Sequence, residues 1–135
     1  MHLDQIVRRF DSLAHQGLVY RLSARAALGV MQESEARLGV KFPEQVRAFW
    51  RAFDGLDVDN PPFKILSTCE MKREGEFVVF CVCDRIVSIA FDVSATNEAA
   101  QWSILNAKTG YVITYTMASF GSVHMWSWII KHRPI

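Results

Sequence analysis

The chain is poor in cysteine and has no long apolar run. It has three cysteines among its 135 residues, an odd number that argues against a disulfide framework and favours a reducing compartment. The longest uninterrupted apolar segment runs only from Phe77 to Cys83, far short of the length that crosses a bilayer. The N-terminus has no basic region followed by an apolar run, so it does not resemble a secretory signal. We therefore expect a cytoplasmic protein without a membrane segment.

Charge of one sign is also lacking. Fifteen Lys and Arg residues stand against fourteen Asp and Glu residues, which leaves a formal net charge of +1. Such a balance gives no electrostatic reason to expect binding to nucleic acid or to an anionic membrane surface. Half of the residues are hydrophobic and 21% are charged, as in compact globular proteins. The length suits one domain spanning residues 1–135.

Catalytic and metal-binding patterns are missing as well. Cys81 and Cys83 would share one face of a strand, but their apolar neighbours favour two inert, buried thiols over a redox pair or half of a metal site. Zinc needs four ligands, and neither Cys69 nor the scattered histidines completes a set. A Cys69–His124 pair has no orienting third member, and no glycine-rich loop is placed to cradle a phosphate. We expect no catalytic residue, metal or cofactor, and predict that the protein is not an enzyme.

The most informative pattern lies in residues 33 to 55. Gly39 follows the last apolar position of one helix, where a left-handed residue closes the free carbonyls. Pro43 stands where a second helix should begin, because its fixed φ and missing N–H cost nothing there. One apolar stripe at helical spacing follows, and Gly55 ends that helix. The stripe consists of Val46, Phe49, Trp50 and Phe53.

This segment resembles the signature of the SUKH superfamily, in which an acid precedes Leu-Gly, a Pro, and an aromatic-rich helix that ends in Asn/Asp-Gly. The matching residues are Glu35, Leu38, Gly39, Pro43, Phe49, Phe53, Asp54 and Gly55. Ser119 and Phe120 open a second, weaker match in an apolar terminal helix. The resemblance implies one SUKH-like domain. We expect the motif residues other than Asp54, together with Trp50, to serve packing instead of partner recognition.

The hydrophobic period predicts an α+β fold with N-terminal helices, a central antiparallel sheet of about five strands, and a C-terminal helix packed on the sheet. Ser23 is the expected N-cap of the second helix, and Gly29 suggests a close helix crossing. The predicted helices cover residues 3–15, 24–38, 43–53 and 119–132. The predicted strands cover 63–68, 76–83, 86–92, 101–106 and 111–117, with residues 57–62 as a loop and tight turns at 84–85 and 108–110.

Two features are candidates for contact with a partner. The first is a group of acids that is either a solvated loop or an acidic lip meeting a basic partner; it lacks the spacing of a calcium loop. The second is Trp126, which cannot share a buried helix stripe with Trp128, so one of the two is either an exposed anchor or covered by the N-terminal helix. The acids are Asp54, Asp57, Asp59, Glu70, Glu74 and Glu76.

By the family resemblance, the expected function is that of a bacterial immunity protein. Such proteins bind the catalytic domain of a cognate toxin in the cytoplasm of the producing cell and occlude its active site. The same superfamily includes a yeast cell-wall assembly regulator, so a regulatory or scaffold domain in a larger assembly is the alternative. The expected partner is a protein, and the oligomeric state stays open between a monomer and a weak dimer.

Overall fold

The computed structural model describes residues 3–132, so residues 1–2 and 133–135 of the predicted domain lie outside the described part. The helices are α1 (Leu3–Ala14), α2 (Leu28–Leu38), α3 (Glu44–Ala52), α4 (Met117–Ser119) and α5 (Met125–Lys131), and a π-helical turn (Phe120–His124) joins the last two. The strands are β1 (Tyr20–Leu22), β2 (Leu56–Val58), β3 (Phe63–Ile65), β4 (Lys72–Glu74), β5 (Phe77–Cys83), β6 (Val87–Asp92), β7 (Ile104–Asn106) and β8 (Val112–Thr114). Every described helix is too short or too polar to traverse a bilayer. The predicted α+β class is confirmed.

The strands form one antiparallel sheet in the order β1-β2-β3-β5-β6-β7-β8, and β4 pairs with β5 beside β3. Residues 3–132 contain eight strands instead of the predicted five or so. The additional strands β1, β2 and β4 have three residues each, too few for an alternating pattern to stand out in a sequence. Asp57, predicted to lie in a loop, is the central residue of β2.

Two helices start at residues other than the predicted ones, because the hydrogen bonds of the nearby backbone N–H groups differ from those expected. Helix α2 begins at Leu28, since the preceding residues are extended and hydrogen-bond elsewhere: the Ser23 N–H donates to the Gly55 carbonyl and the Ala26 N–H to the Trp50 carbonyl. Ser23 is therefore not an N-cap. At the C-terminal end, the Thr116 hydroxyl accepts from the Ser119 N–H at 3.1 Å, so the helix starts two residues before Ser119.

Gly29 does not mark a helix crossing. A Cβ placed at this position would meet no atom within 4 Å. The prediction of a close approach is wrong, because the residue lies in the first turn of α2 on an exposed side. Gly39, in contrast, adopts the left-handed conformation that the sequence predicted, with a φ of +68°, and Gly110 in the predicted turn at 108–110 has a φ of +76°.

A β-bulge in β5 reverses part of the face assignment that strict alternation predicts. Val79 pairs with Ala90 and Cys81 pairs with Ile89, so Phe80 is an extra residue on the β5 side. The bulge turns Phe80 and Cys81 toward the same core, as an inserted residue does in an antiparallel ladder. Cys81 and Cys83 therefore lie on the helix-covered face with Phe80, whereas Val79 lies on the opposite face.

The core under the helices is aromatic. The Phe80 and Phe91 rings stack with their centroids 4.0 Å apart, and the Trp50 ring meets each of them edge-on at 6.0 Å. Phe120 of the π-helical turn contacts Phe80 with ring centroids 5.3 Å apart. Helix α3 and the C-terminal helical segment are thus packed on one face of the sheet, as predicted. The other face, which we call the helix-free face, carries a small apolar cluster of Val79, Ala90 and Leu105.

Candidate protein-binding surface

The elbow between α2 and α3 is held together by the side chains of the SUKH-like motif. The Glu35 carboxylate accepts the Phe42 N–H at 2.8 Å and pairs with the Arg47 guanidinium at 3.0 Å. Gly39 closes the end of α2 in the left-handed conformation. Pro43, predicted as the first helical residue, occupies the N-cap, and α3 begins one residue later, at Glu44. These contacts are internal, which agrees with a structural role for the elbow.

The second half of the motif, Trp50 and Asp54, forms hydrogen bonds with the segment that follows β3. The Trp50 indole N–H donates to the Leu66 carbonyl at 2.9 Å. One oxygen of Asp54 accepts from both the Thr68 N–H, at 2.8 Å, and the Thr68 hydroxyl, at 3.1 Å. Asp54 is therefore occupied within the fold. Of the two alternatives for the acids, a place for Asp54 in an acidic lip is disfavoured, because its carboxylate accepts hydrogen bonds from the loop at Thr68.

Three of the remaining acids form ion pairs with cations on neighbouring strands. Arg21 on β1 lies 3.6 Å from the Asp57 carboxylate and 3.1 Å from that of Asp59. Lys64 on β3 pairs with Glu70 at 3.0 Å. Burial raises the pKa of Glu70, but hydrogen bonds from Lys64 and from the backbone and side chain of Ser67 outweigh it, so the pKa is lowered overall. Two cations thus serve three acids, so one negative charge of this group stays uncompensated.

Glu74 and Glu76 are exposed but lie elsewhere. Glu74 pairs with Phe77 at the start of β5, whereas Asp59 adjoins the loop next to the end of β5. The six residue steps from Phe77 to Cys83 separate these positions by about 20 Å at the usual rise of a strand. The acids therefore do not form one lip, because the sheet carries them to opposite ends.

Trp126 is covered by the N-terminal helix. Its side chain is buried, with the Phe10 ring centroid at 4.7 Å and the Arg9 guanidinium 4.8 Å from the ring centroid. Of the two alternatives, coverage by the N-terminal helix is therefore the one observed, and Trp126 is not an exposed anchor. Trp128 is half-buried, and its indole N–H donates to the Pro62 carbonyl at 3.3 Å.

The cysteines occupy different environments. Burial, together with the hydrogen bond and charge of Cys83, raises the pKa of the Cys81 thiol well above its ordinary value, which keeps the thiol protonated and unreactive. Cys83 is buried too, and Cys69 is exposed. Within residues 3–132, no three His, Cys, Asp or Glu side chains gather closely enough to hold a metal ion.

His124, in the π-helical turn, should make stability depend on pH. Burial lowers its pKa below the ordinary value of 6.5, so on acidification the unfolded chain binds the proton first. The residue's effect on the free energy of unfolding should be absent at about pH 7.5 and should become destabilising near pH 5.5. Between these two pH values, the free energy of unfolding measured with urea should fall more for the wild type than for His124→Gln. Equal losses in the two proteins would contradict the assignment.

Three connections converge at one end of the sheet. Because β3 pairs antiparallel with β5, the β2–β3 loop lies beside the β5–β6 turn, and the Asp84 N–H donates to the Pro62 carbonyl at 2.8 Å. The β7–β8 turn begins at Ala107, whose N–H donates to the Ser88 carbonyl at 3.0 Å. Val19, before β1, accepts from the Asp59 N–H at this same end. We call this surface the hairpin end; it comprises Val19 and residues 59–62, 84–86 and 107–111.

The hairpin end presents apolar side chains to solvent. Ile86 and Tyr111 are 81% and 78% exposed, the highest fractions among the large hydrophobic side chains that are exposed in residues 3–132, and Val19 is 54% exposed. Backbone bonds hold both turns: the Ile86 N–H donates to the Cys83 carbonyl, and the Gly110 N–H to that of Asn106. Rigid loops that carry exposed apolar groups on a packed sheet are typical of binding surfaces.

Sequence reasoning placed Ile86 and Tyr111 at the starts of strands and did not single them out. One feature of the sequence could have indicated their exposure. Ile86 directly follows the predicted turn at 84–85 and Tyr111 the one at 108–110, and residues next to turns are usually polar. That signal is weak, because an apolar residue at the start of a strand is equally consistent with burial. Only the sheet topology brings Ile86, Tyr111 and Val19 to one end.

Comparison with protein-family models gives no match for the chain, and comparison with curated proteins gives none either. Membership of the SUKH superfamily consequently remains a prediction from the residues of the elbow.

Proposed function

We propose that the protein is a small binding domain of the immunity type, which binds the catalytic domain of a cognate bacterial toxin in the cytoplasm and occludes its active site. The observation that carries binding is the exposure of Ile86 and Tyr111 on two hairpin turns at one end of the sheet, with Val19 exposed at the same end beside the opposite edge strand. The toxin as partner rests on the resemblance of the elbow to the SUKH signature.

The geometry supports binding at this surface for an energetic reason. Exposed apolar side chains gain free energy when a partner removes them from water. Tyrosine is also enriched among the residues that dominate binding energy. Because both hairpin turns are held by backbone hydrogen bonds, little conformational entropy is lost when Ile86 and Tyr111 are ordered in a complex.

The test is co-expression with the catalytic domain of the toxin encoded by the neighbouring gene. The wild-type chain should restore growth and co-purify with that domain. Absence of both rescue and a complex would contradict the immunity function.

The double substitution Ile86→Ala and Tyr111→Ala should weaken the complex strongly, by about 2 kcal/mol for each residue if both are hot spots. The midpoint of urea unfolding should hardly change, because both side chains are exposed. The matched control is Leu28→Ala, which truncates another exposed apolar side chain, at the start of α2. Isothermal titration calorimetry measures the Kd of each variant; an equal Kd for the double variant and the control would rule out the hairpin end as the binding surface.

A further inference from the structure

Strand β8 lies at one end of the strand order, and its pairing within residues 3–132 is with β7 alone. Its other side is a sheet edge, where backbone N–H and C=O groups can pair with a further strand. We call residues 111–115 the β8 edge. Eight large hydrophobic side chains are exposed in residues 3–132, and three of them belong to this edge: Tyr111 at 78%, Tyr115 at 61% and Val112 at 49%.

The β8 edge lacks the charges found on the other two terminal strands of this sheet. Strand β1, at the opposite edge, has Arg21 at its centre, and β4, on its own branch, consists of Lys72, Arg73 and Glu74. Charged side chains of this kind keep an edge from pairing with another chain. Residues 111–117, in contrast, contain no charged residue, proline or glycine. Of these three strands, β8 is therefore the one suited to pairing with a strand of another molecule.

The two ends of the β8 edge are complementary in shape. At one end, the Tyr111 side chain projects into solvent from the β7–β8 turn. At the other end lies a groove of about 580 Å³, lined by Asn97, Glu98, Ala99 and Tyr115. The groove has room for a tyrosine side chain, and the Glu98 carboxylate is an acceptor for a phenolic hydroxyl.

The charges beside these two ends are of opposite sign. Lys108 precedes Tyr111 in the β7–β8 turn, and Glu98 lines the groove at Tyr115. Both are exposed, and neither belongs to an ion pair among residues 3–132. An antiparallel pairing of two β8 edges about Ile113 places Tyr111 of each copy opposite Tyr115 of the other. Each Lys108 then approaches Glu98 of the other copy, whereas a parallel pairing would bring like charges together.

We propose that two copies of this chain form a homodimer through their β8 edges, paired antiparallel about a two-fold axis near Ile113. Tyr111 of each copy enters the groove beside Tyr115 of the other. A two-fold interface brings the same patch of both copies together, so an uncharged edge with complementary ends fits a second copy. The inference goes beyond the proposed function and does not rest on it.

The dimer should be weak, because few backbone groups of the β8 edge are left for a second copy. Ile113 is an extra residue in the ladder, since Val112 pairs with Leu105 and Thr114 with Ile104. The Tyr115 carbonyl already accepts from the Asn97 side-chain amide at 2.8 Å. Side chains therefore carry the contact. Four tyrosines, two from each copy, bury on the order of 600 Å², which is typical of the smallest and weakest interfaces.

Sedimentation equilibrium of the purified chain at about 5–500 μM measures the dimer Kd. The average mass of the wild type should rise with concentration from that of one chain toward that of two. Val112→Lys should raise Kd by about tenfold or more, because it places a charge on the edge. The matched control is Val123→Lys, which changes a similarly exposed valine in the π-helical turn and should alter Kd by no more than about twofold. Both variants leave Tyr111 intact, since it also belongs to the hairpin end.

An exchange of charges tests the register. Glu98→Lys should weaken the dimer, because the new lysine faces Lys108 of the second copy. Adding Lys108→Glu to the same chain should return Kd to within about twofold of the wild-type value. A double variant that stays as weak as Glu98→Lys would overturn the antiparallel pairing.

Three further outcomes would overturn the dimer. The first is the mass of a single chain at every concentration, which would leave the proposed function standing. The second is an equal effect of Val112→Lys and Val123→Lys on Kd, because the contact would then not lie on β8. The third is growth beyond two copies, because a closed two-fold pairing uses the β8 edge of both.

Discussion

Replacing Trp50 with alanine should lower the free energy of unfolding by about 3–5 kcal/mol. The side chain is fully buried, and its ring contacts Phe80 and Phe91. Truncation removes these contacts and opens a cavity between α3 and the sheet, which the surrounding backbone can fill only in part. Equilibrium urea denaturation followed by circular dichroism measures the loss.

A second variant separates packing from hydrogen bonding at this site. Trp50→Phe keeps an aromatic ring but removes the N–H that donates to the Leu66 carbonyl, which should cost about 1–3 kcal/mol. The matched control is Trp128→Phe, because the Trp128 indole is half-buried and makes a longer bond, 3.3 Å, to Pro62. A loss of less than about 1.5 kcal/mol for Trp50→Ala would show that the elbow does not anchor the core.

Replacing Gly55 with alanine should lower the free energy of unfolding by about 3 kcal/mol, because the alanine has an unfavourable φ and its Cβ clashes with the backbone. Gly55 has a φ of +103°, which is unfavourable for any residue with a Cβ. The added Cβ would also lie 2.8 Å from the Ile65 carbonyl oxygen and 3.1 Å from the Ser67 nitrogen. Both neighbours are backbone atoms, so the strand itself would have to shift.

Gly17→Ala is the control that isolates the steric part. Gly17 has a similar φ, +98°, but a Cβ there would meet no atom within 4 Å. Gly17→Ala should lower the free energy of unfolding only by the cost of the backbone conformation, about 1–2 kcal/mol. Equal losses in the two variants, measured by urea denaturation, would mean that the close approach of Gly55 to β3 does not matter energetically.

By these two predictions, the residues of the SUKH-like motif stabilise the fold. Trp50 and Asp54 bind the segment after β3 through Leu66 and Thr68, and Glu35 closes the elbow from the other side. Substitutions in this motif should therefore lower the amount of folded protein instead of changing partner choice. Tests of partner binding belong at the hairpin end, where Ile86 and Tyr111 can be changed without disturbing the core.

The longer elements were predictable from the sequence because their signals are local. Helices α1 and α3 repeat apolar residues at helical spacing, and β5 and β6 are long enough for a strand pattern to appear. The strands β1, β2 and β4 were not predictable. A three-residue strand has too little pattern of its own and forms because a neighbouring strand offers hydrogen bonds.

The candidate surface was less predictable than the fold, for a related reason. The prediction of an acidic lip assumed that acids near one another in sequence stay together and unpaired. Arg21 and Asp59, 38 residues apart, meet across strands β1 and β2 and remove part of that charge. The bulge at Phe80 likewise changed the faces of β5, and nothing in an uninterrupted apolar run marks where an extra residue will be placed.

The sequence by itself determined where the chain turns and which helix faces are apolar, because a left-handed glycine at position 39 and an apolar stripe on α3 depend only on nearby residues. Only the tertiary structure decided which charges are neutralised and which apolar side chains reach solvent. Those outcomes depend on strands that pair over long separations. The burial of Trp126 under α1 and the exposure of Ile86 are therefore properties of the assembled sheet and helices.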